Sequence, residues 1–306
     1  MARMHTRPVL GRFGGLRRRR RAAALASILV LASACTESTP DRTTREQAHA
    51  SPTEAINTVT ETFERDGRSL RTTIWAPKGE GPFPIVLFSH GLGALPESFR
   101  LVFESWVHDG FVVVGPTYPH TNGRVARNER DLVNQPADAS FVLDSVIELA
   151  SDRDDPLSGR VDPERIGAVG HSMGGMTTVG LASTCCADER IDAGVVYAGD
   201  ARGFRDDGFV GDAPPLLFIH GDADAVVSYE SGRHAYAEAT GPKAFMTLAG
   251  ADHTGPFFDD SGTHGAVVSA ATLAFLRWTL RNDDGALEEL RRAARTDTVR
   301  FEDDLS

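Results

Sequence analysis

Gly170-His171-Ser172-Met173-Gly174-Gly175 constrains this chain more than any other stretch. It follows the apolar run Arg165-Ile166-Gly167-Ala168-Val169 and precedes a helix-compatible segment from Met176 to Ala182. The pattern therefore reads as strand, sharp turn and helix, with a serine at the apex. Glycines two before and two after the serine carry no Cβ, which lets strand and helix approach closely around the turn. Gly-x-Ser-x-Gly by itself also fits a glycine-rich turn with an incidental serine. The apolar strand before it and the small-residue helix after it are what favour a nucleophile.

The first 35 residues read as an export signal rather than as part of the fold. Arg17 to Arg21 form a basic region, Ala22 to Ala34 an apolar segment too short to span a bilayer comfortably, and Cys35 follows small residues. Leu31-Ala32-Ser33-Ala34-Cys35 resembles the bacterial lipoprotein signal, which implies lipidation of Cys35. Alanine three before the cysteine, where leucine is usual, leaves plain cleavage after Ala34 as the alternative. The five-arginine run is also compatible with a twin-arginine route. The protein is thus expected outside the cytoplasm, secreted or held to the cell membrane only through a lipid at Cys35. Eight of the 32 basic residues lie in this leader, which has no acids. The remainder carries 24 against 43 acidic residues, near −19, and nucleic acid is an unsuitable partner for such a surface.

Residues 36 to 55 are rich in Thr, Ser, Pro and charge and read as a tether. Residues 56 to 283 are expected to form one domain, followed by a charged tail over 284 to 306 that is either a short amphipathic helix or frayed. Within the domain, two alternating strands flank Asp66-Gly67, a hairpin signal. Phe83 to Phe88, Phe111 to Gly115, Val161 to Gly170, Ile191 to Tyr197, Pro215 to His220 and Lys243 to Ala249 are apolar strand-like runs. Helix-like segments from about Pro96, Ala137, Met176, Ser228 and Gly265 separate most of them. Strands buried on both faces and alternating with helices predict an α/β fold: a mostly parallel central sheet, helices on both faces and an antiparallel N-terminal hairpin. Cys185 and Cys186 are adjacent and form no long-range framework. A vicinal disulfide is possible, two buried thiols the blander expectation. No zinc-like spacing of Cys and His occurs, and no metal or cofactor is expected.

A serine hydroxyl is a weak nucleophile at neutral pH and needs a base, an acid that orients the base, and donors for the developing oxyanion. His253, in a small glycine-flanked loop past the strand ending at Ala249, is the favoured base, with His264 as rival. Asp224, in the centre of the loop after the Pro215 strand, is the favoured acid; Asp200 and Asp222 compete. The oxyanion donors expected are the amides of Met173, directly after the serine, and Leu92, in His90-Gly91-Leu92-Gly93. His90 is expected to brace that loop. Tyr118, Phe257 and Phe258 lie on loops at the same sheet edge and are candidates for an apolar acyl pocket or for loop packing. The polar, arginine-rich connection from Tyr118 to Gln135 is a candidate for the substrate mouth.

Phe88-Ser89-His90-Gly91-Leu92-Gly93, the serine turn, His220-Gly221-Asp222-Ala223-Asp224 and Gly250-Ala251-Asp252-His253, taken in order, resemble the α/β-hydrolase superfamily. The likeness extends to dienelactone-hydrolase-like proteins, platelet-activating-factor acetylhydrolases and cutinase-like polyester hydrolases. It implies the order Ser, acid, His, with a serine where true dienelactone hydrolases use cysteine. The cutinase-like spacing of 52 and then 29 residues supports Asp224, whereas the acetylhydrolase pattern points to Asp200. Cutinase-like enzymes carry an aromatic residue in the oxyanion loop, where this chain has Leu92. The reading is a serine esterase working through an acyl-enzyme. Residues 198 to 214 are too short and polar for a helical lid, so an open cleft for short-chain or polymeric esters is expected. A peptidase or other acyl hydrolase of the same fold, or a non-catalytic binding lipoprotein, are the alternatives.

Overall fold

The computed structural model describes residues 56–204 and 208–305. The export signal, Cys35 and the tether lie outside the described residues. The described chain opens with the expected hairpin, β1 (Ile56–Arg65) and β2 (Arg68–Pro77). Asp66 and Gly67 both take positive φ, 50° and 74°, which is the turn whose twist matches that of the two strands.

The strands β3 (Phe83–Ser89), β4 (Val112–Thr117), β5 (Val161–His171), β6 (Ile191–Tyr197), β7 (Leu216–Gly221) and β8 (Lys243–Leu248) then form a parallel block in the order β4-β3-β5-β6-β7-β8. The hairpin adds through β2, antiparallel to β4. Side chains alternate faces along each strand. On β3, Val86 and Phe88 join the cluster beneath α1 (Arg100–His108) and α5 (Gly262–Arg281), while Ile85 and Leu87 face α2 (Gln135–Ser151). Together with α3 (Met173–Gly180) and α4 (Tyr229–Glu238), these helices cover both faces, which explains why the central strands read as continuous apolar runs.

A charged tie locks the hairpin to the sheet's flank. The Arg68 guanidinium bonds Asp131 (2.7 and 2.8 Å) and Asp138 (2.6 to 3.0 Å), and Arg65 adds a third donor to Asp138 at 3.0 Å. Both carboxylates are buried, so the pairing compensates charge that would otherwise be costly to desolvate.

The C-terminal residues form the short helix that is one of the two expectations for them, and beyond it a strand that is not among them. Asp283 caps α6 (Asp284–Ala293), which packs on α5 with Ala286 and Leu290 buried, and the chain continues into β9 (Val299–Asp304). This strand pairs antiparallel with β8 over six residues, closing the ninth position of the sheet. Its charged, alternating sequence suits an edge strand exposed to water on one side, and that same charge gives it the composition of a tail. Cys185 and Cys186 form a vicinal disulfide, and Cys185 is exposed, so the expectation of two buried thiols is corrected. The bridge sits on a surface turn after α3 rather than in the core.

Candidate active site

Strand β5 runs directly into Ser172 and α3. Ser172 adopts φ 57° and ψ −119°, a conformation disfavoured for any residue with a Cβ, held here by Ser172 N–H donating to Tyr197 O at 2.8 Å. The flanking glycines are a steric requirement. A Cβ on Gly170 would stand 2.1 Å from Gly174 O, and one on Gly174 would stand 1.8 Å from Ser89 O. Gly91 brings the β3 loop close as well, with a Cβ there 3.2 Å from Ser172 Cβ. Small residues at these positions are what press the loop after β3, the serine turn and α3 into one corner.

The loops after β7 and β8 meet at this corner. His253 Nε2 lies 2.9 Å from Ser172 Oγ, and His253 Nδ1 lies 2.6 Å from Asp224 Oδ2. An ionised carboxylate only accepts, so Nδ1 carries the proton and Nε2 is left to accept from the serine hydroxyl. Burial pushes the Asp224 carboxyl up, but donors from His220, His253 and the amides of Val226 and Val227 outweigh it and hold the group well below the usual carboxylate range. Asp224 is thus an anion with every lone-pair direction engaged.

The competing residues are occupied elsewhere. Asp200 is buried and accepts from Arg202, through its amide at 2.8 Å and its guanidinium at 3.3 Å. Asp222 accepts from the amide of Gly250 (2.6 Å) and from Arg300 (2.9 Å), tying the loop after β7 to β8 and β9. His264 lies in the first turns of α5 and bonds neither Ser172 nor Asp224.

Leu92 and Met173 both line the cleft over Ser172. Met173 opens α3, where the leading amides have no intrahelical acceptor. The neighbouring amides of Gly93 and Ala94 are bonded to Thr121 O and Gly91 O. His90 braces this loop: its Nδ1–H donates to Gly91 O at 2.8 Å, and its Nε2 accepts from the Tyr118 amide at 3.1 Å. Burial lowers its pKa to about 4, so the ring is neutral, as that pair of bonds requires.

The cleft measures about 590 Å³. Leu92, Leu132, Met173, Met176, Val227 and Phe258 give it apolar walls, and Arg127, Glu129 and Arg202 add charge. Arg127, Glu129 and Leu132 come from the arginine-rich connection, which does contribute to the mouth. Of the three aromatic candidates, only Phe258 lines the cleft, stacked on Phe99 with centroids 4.4 Å apart. Tyr118 is fully buried with its hydroxyl on Ser89 Oγ at 2.8 Å, and Phe257 is buried against Tyr197 at 5.0 Å. Both side chains are packed into the core, Phe257 although its neighbours Thr254 and Phe258 line the cleft.

Two histidines escape a sequence reading. His171, immediately before the serine, is buried and donates Nε2–H to the main-chain carbonyl of His253 at 2.8 Å. Burial lowers its pKa to about 4. His220, next to last in β7, places Nε2 3.1 Å from Asp224 Oδ2. The only trace of either in the sequence is position: one inside the serine turn, the other four residues before the acid.

Comparison with known proteins adds one finding. The family model described as PET hydrolase-like matches residues 82–299. No curated protein matches the chain.

Proposed function

The chain belongs to the PET hydrolase-like family, a family of carboxylic ester hydrolases with the α/β-hydrolase fold, and from that premise we propose that it cleaves short-chain or polymeric esters by two-step acyl transfer on Ser172. The observation that carries this reading is the continuous hydrogen-bond chain Ser172 Oγ, His253, Asp224.

In the first step His253 Nε2 takes the Ser172 proton as Oγ attacks the ester carbonyl. The imidazolium that forms is stabilised by the Asp224 carboxylate on Nδ1. The carbonyl oxygen becomes an oxyanion held by the amides of Leu92 and Met173, two residues that line the cleft with Ser172. Collapse breaks the bond to the alcohol, which leaves with the proton from His253. In the second step His253 takes a proton from water, the hydroxide attacks the acyl-enzyme through a second tetrahedral species, and the acid departs as the proton returns to Ser172 Oγ. The apolar cleft walls seat the acyl chain, with Phe258 on one side and Leu132 and Met176 on another.

The protein does this work outside the cytoplasm, held by a lipid on Cys35 or released after Ala34. Detergent phase partition tests this: Cys35→Ala moves a lipidated protein from the detergent to the aqueous phase and leaves a plainly secreted one unchanged. For the chemistry, the test is hydrolysis of p-nitrophenyl esters of increasing acyl length. Ser172→Ala is expected to abolish turnover, and retained turnover overturns the mechanism. Asp224→Asn is expected to cost several powers of ten and Asp200→Asn little; the reverse order moves the acid to Asp200.

A further inference from the structure

Strand β7 is apolar through Leu216-Leu217-Phe218-Ile219 and then places a fully buried histidine where another apolar side chain would pack. Burying an imidazole is unfavourable unless its nitrogens are satisfied, and the contacts of this one are specific. His220 Nε2 is 3.1 Å from Asp224 Oδ2 and 3.1 Å from Val227 O. Both partners can only accept, so Nε2 carries the proton and donates to each. The ring is held in that direction by Tyr229, edge-on with centroids 6.0 Å apart, and by α4, where a Cβ on Gly232 would stand 2.3 Å from His220 Nδ1.

We propose that His220 is a positioning residue for the acid: its Nε2–H holds Asp224 Oδ2 towards His253 and keeps the carboxylate anionic while His253 is protonated. This rests on the triad reading above. Asp224 Oδ1 is secured by the amides of Val226 and Val227 at 2.7 and 2.9 Å, but those bonds leave Oδ2 with only His253, the group that changes charge during turnover. At 2.6 Å from Nδ1, a carboxylate oxygen without other donors competes better for the Nδ1 proton once the imidazolium, a far stronger acid than the neutral ring, has formed. A second donor on the same oxygen lowers its basicity, so the proton stays on Nδ1 and the imidazole keeps its orientation. The titratable groups facing His220 are Asp224, His253, Tyr229 and the neutral His171.

The side chains that mimic each nitrogen separate this role from packing. Glutamine carries an N–H near the Nε2 position, asparagine near the Nδ1 position, and phenylalanine fills the space without a donor. His220→Phe is expected to lower kcat at least about tenfold with KM within about twofold, and to displace the low-pH limb of kcat/KM. His220→Gln is expected to recover most of the loss and His220→Asn to recover little. Titration of Ser172 with a fluorophosphonate counts folded sites, so kcat is read per active serine. In the Asp224→Asn background, His220→Phe is expected to have no further effect on kcat, because it acts through the carboxylate. Wild-type kcat per active serine in His220→Phe overturns the proposal, as does equal loss in all three variants or a full additional loss beside Asp224→Asn. Undiminished turnover in Asp224→Asn alone would instead remove the triad reading on which it rests.

Discussion

His171 and the main chain of His253 are joined by one buried hydrogen bond of 2.8 Å, so the residue before Ser172 holds the loop that carries His253. The two imidazoles also pack, with centroids 4.9 Å apart. Ser172 and His253 are therefore registered twice, through Ser172 Oγ and through the backbone beneath it.

Replacing His171 with alanine leaves the His253 carbonyl without its donor in a buried setting. A loss of about 1–3 kcal/mol in stability is expected, along with at least about a tenfold fall in kcat/KM as the base loses its position. Urea denaturation and ester hydrolysis measure the two effects. Wild-type values for both would show the tie to be dispensable.

Stability is expected to decline between pH 6.5 and 4. His90 and His171 are lowered by burial from 6.5 to about 4. Between those values the unfolded chain binds protons that the folded chain refuses. Their stabilisation is complete above about 6.5 and lost as pH falls through about 4, by up to about 3 kcal/mol each. Asp224, held low by its donors, acts in the same direction at still lower pH. Thermal unfolding midpoints should be level from pH 7 to 8 and fall steadily from 6.5 to 4. An unchanged midpoint at pH 4.5 would contradict the neutral, buried state of both rings.

Gly174→Ala is expected to prevent folding or to cost more than about 3 kcal/mol, since its Cβ would stand 1.8 Å from a backbone oxygen that cannot move without displacing β3. Gly211→Ala, with open space around its Cβ, serves as the comparison and should be nearly neutral. Soluble yield and denaturant midpoints of the two variants decide this.

Arg68→Ala would leave Asp131 without its ion-pair partner and Asp138 with Arg65 alone. Removing one partner of a buried pair costs about 3–5 kcal/mol, and the hairpin should loosen first. Faster amide exchange in β1 and β2 than in β5 would confirm where the tie acts.

Truncation after Arg295 removes β9, bares the β8 edge and deletes the Arg300 contact to Asp222 in the acid's loop. A lower melting temperature and concentration-dependent association are expected, read by calorimetry and size-exclusion chromatography.

The residues that announce this site in the sequence do so through local rules. An apolar β5, glycines around Ser172 and a small-residue α3 make a sharp turn by sterics confined to a few neighbours. Asp224 and His253 follow the ends of β7 and β8 closely, so knowing the strands nearly places them. The hairpin at Asp66-Gly67 is legible for the same reason. Which way a loop side chain points obeys no such rule. Phe257 and Phe258 are adjacent and chemically identical, yet one fills the core against Tyr197 and the other walls the cleft against Phe99. His220 reads as the end of a strand until α4 and the acid's loop close around it. Charged β9 reads as a tail until β8, some fifty residues earlier, offers its free edge. The sequence by itself determined the order of strands and helices as far as α5, the strained serine turn, and Ser172, Asp224 and His253 as the residues that meet there, because backbone sterics and hydrophobic alternation act over short spans. Only the tertiary structure decided which aromatics face the cleft, which histidines bond Asp224 and the His253 loop, and how the sheet ends, because those depend on packing between segments far apart in the chain.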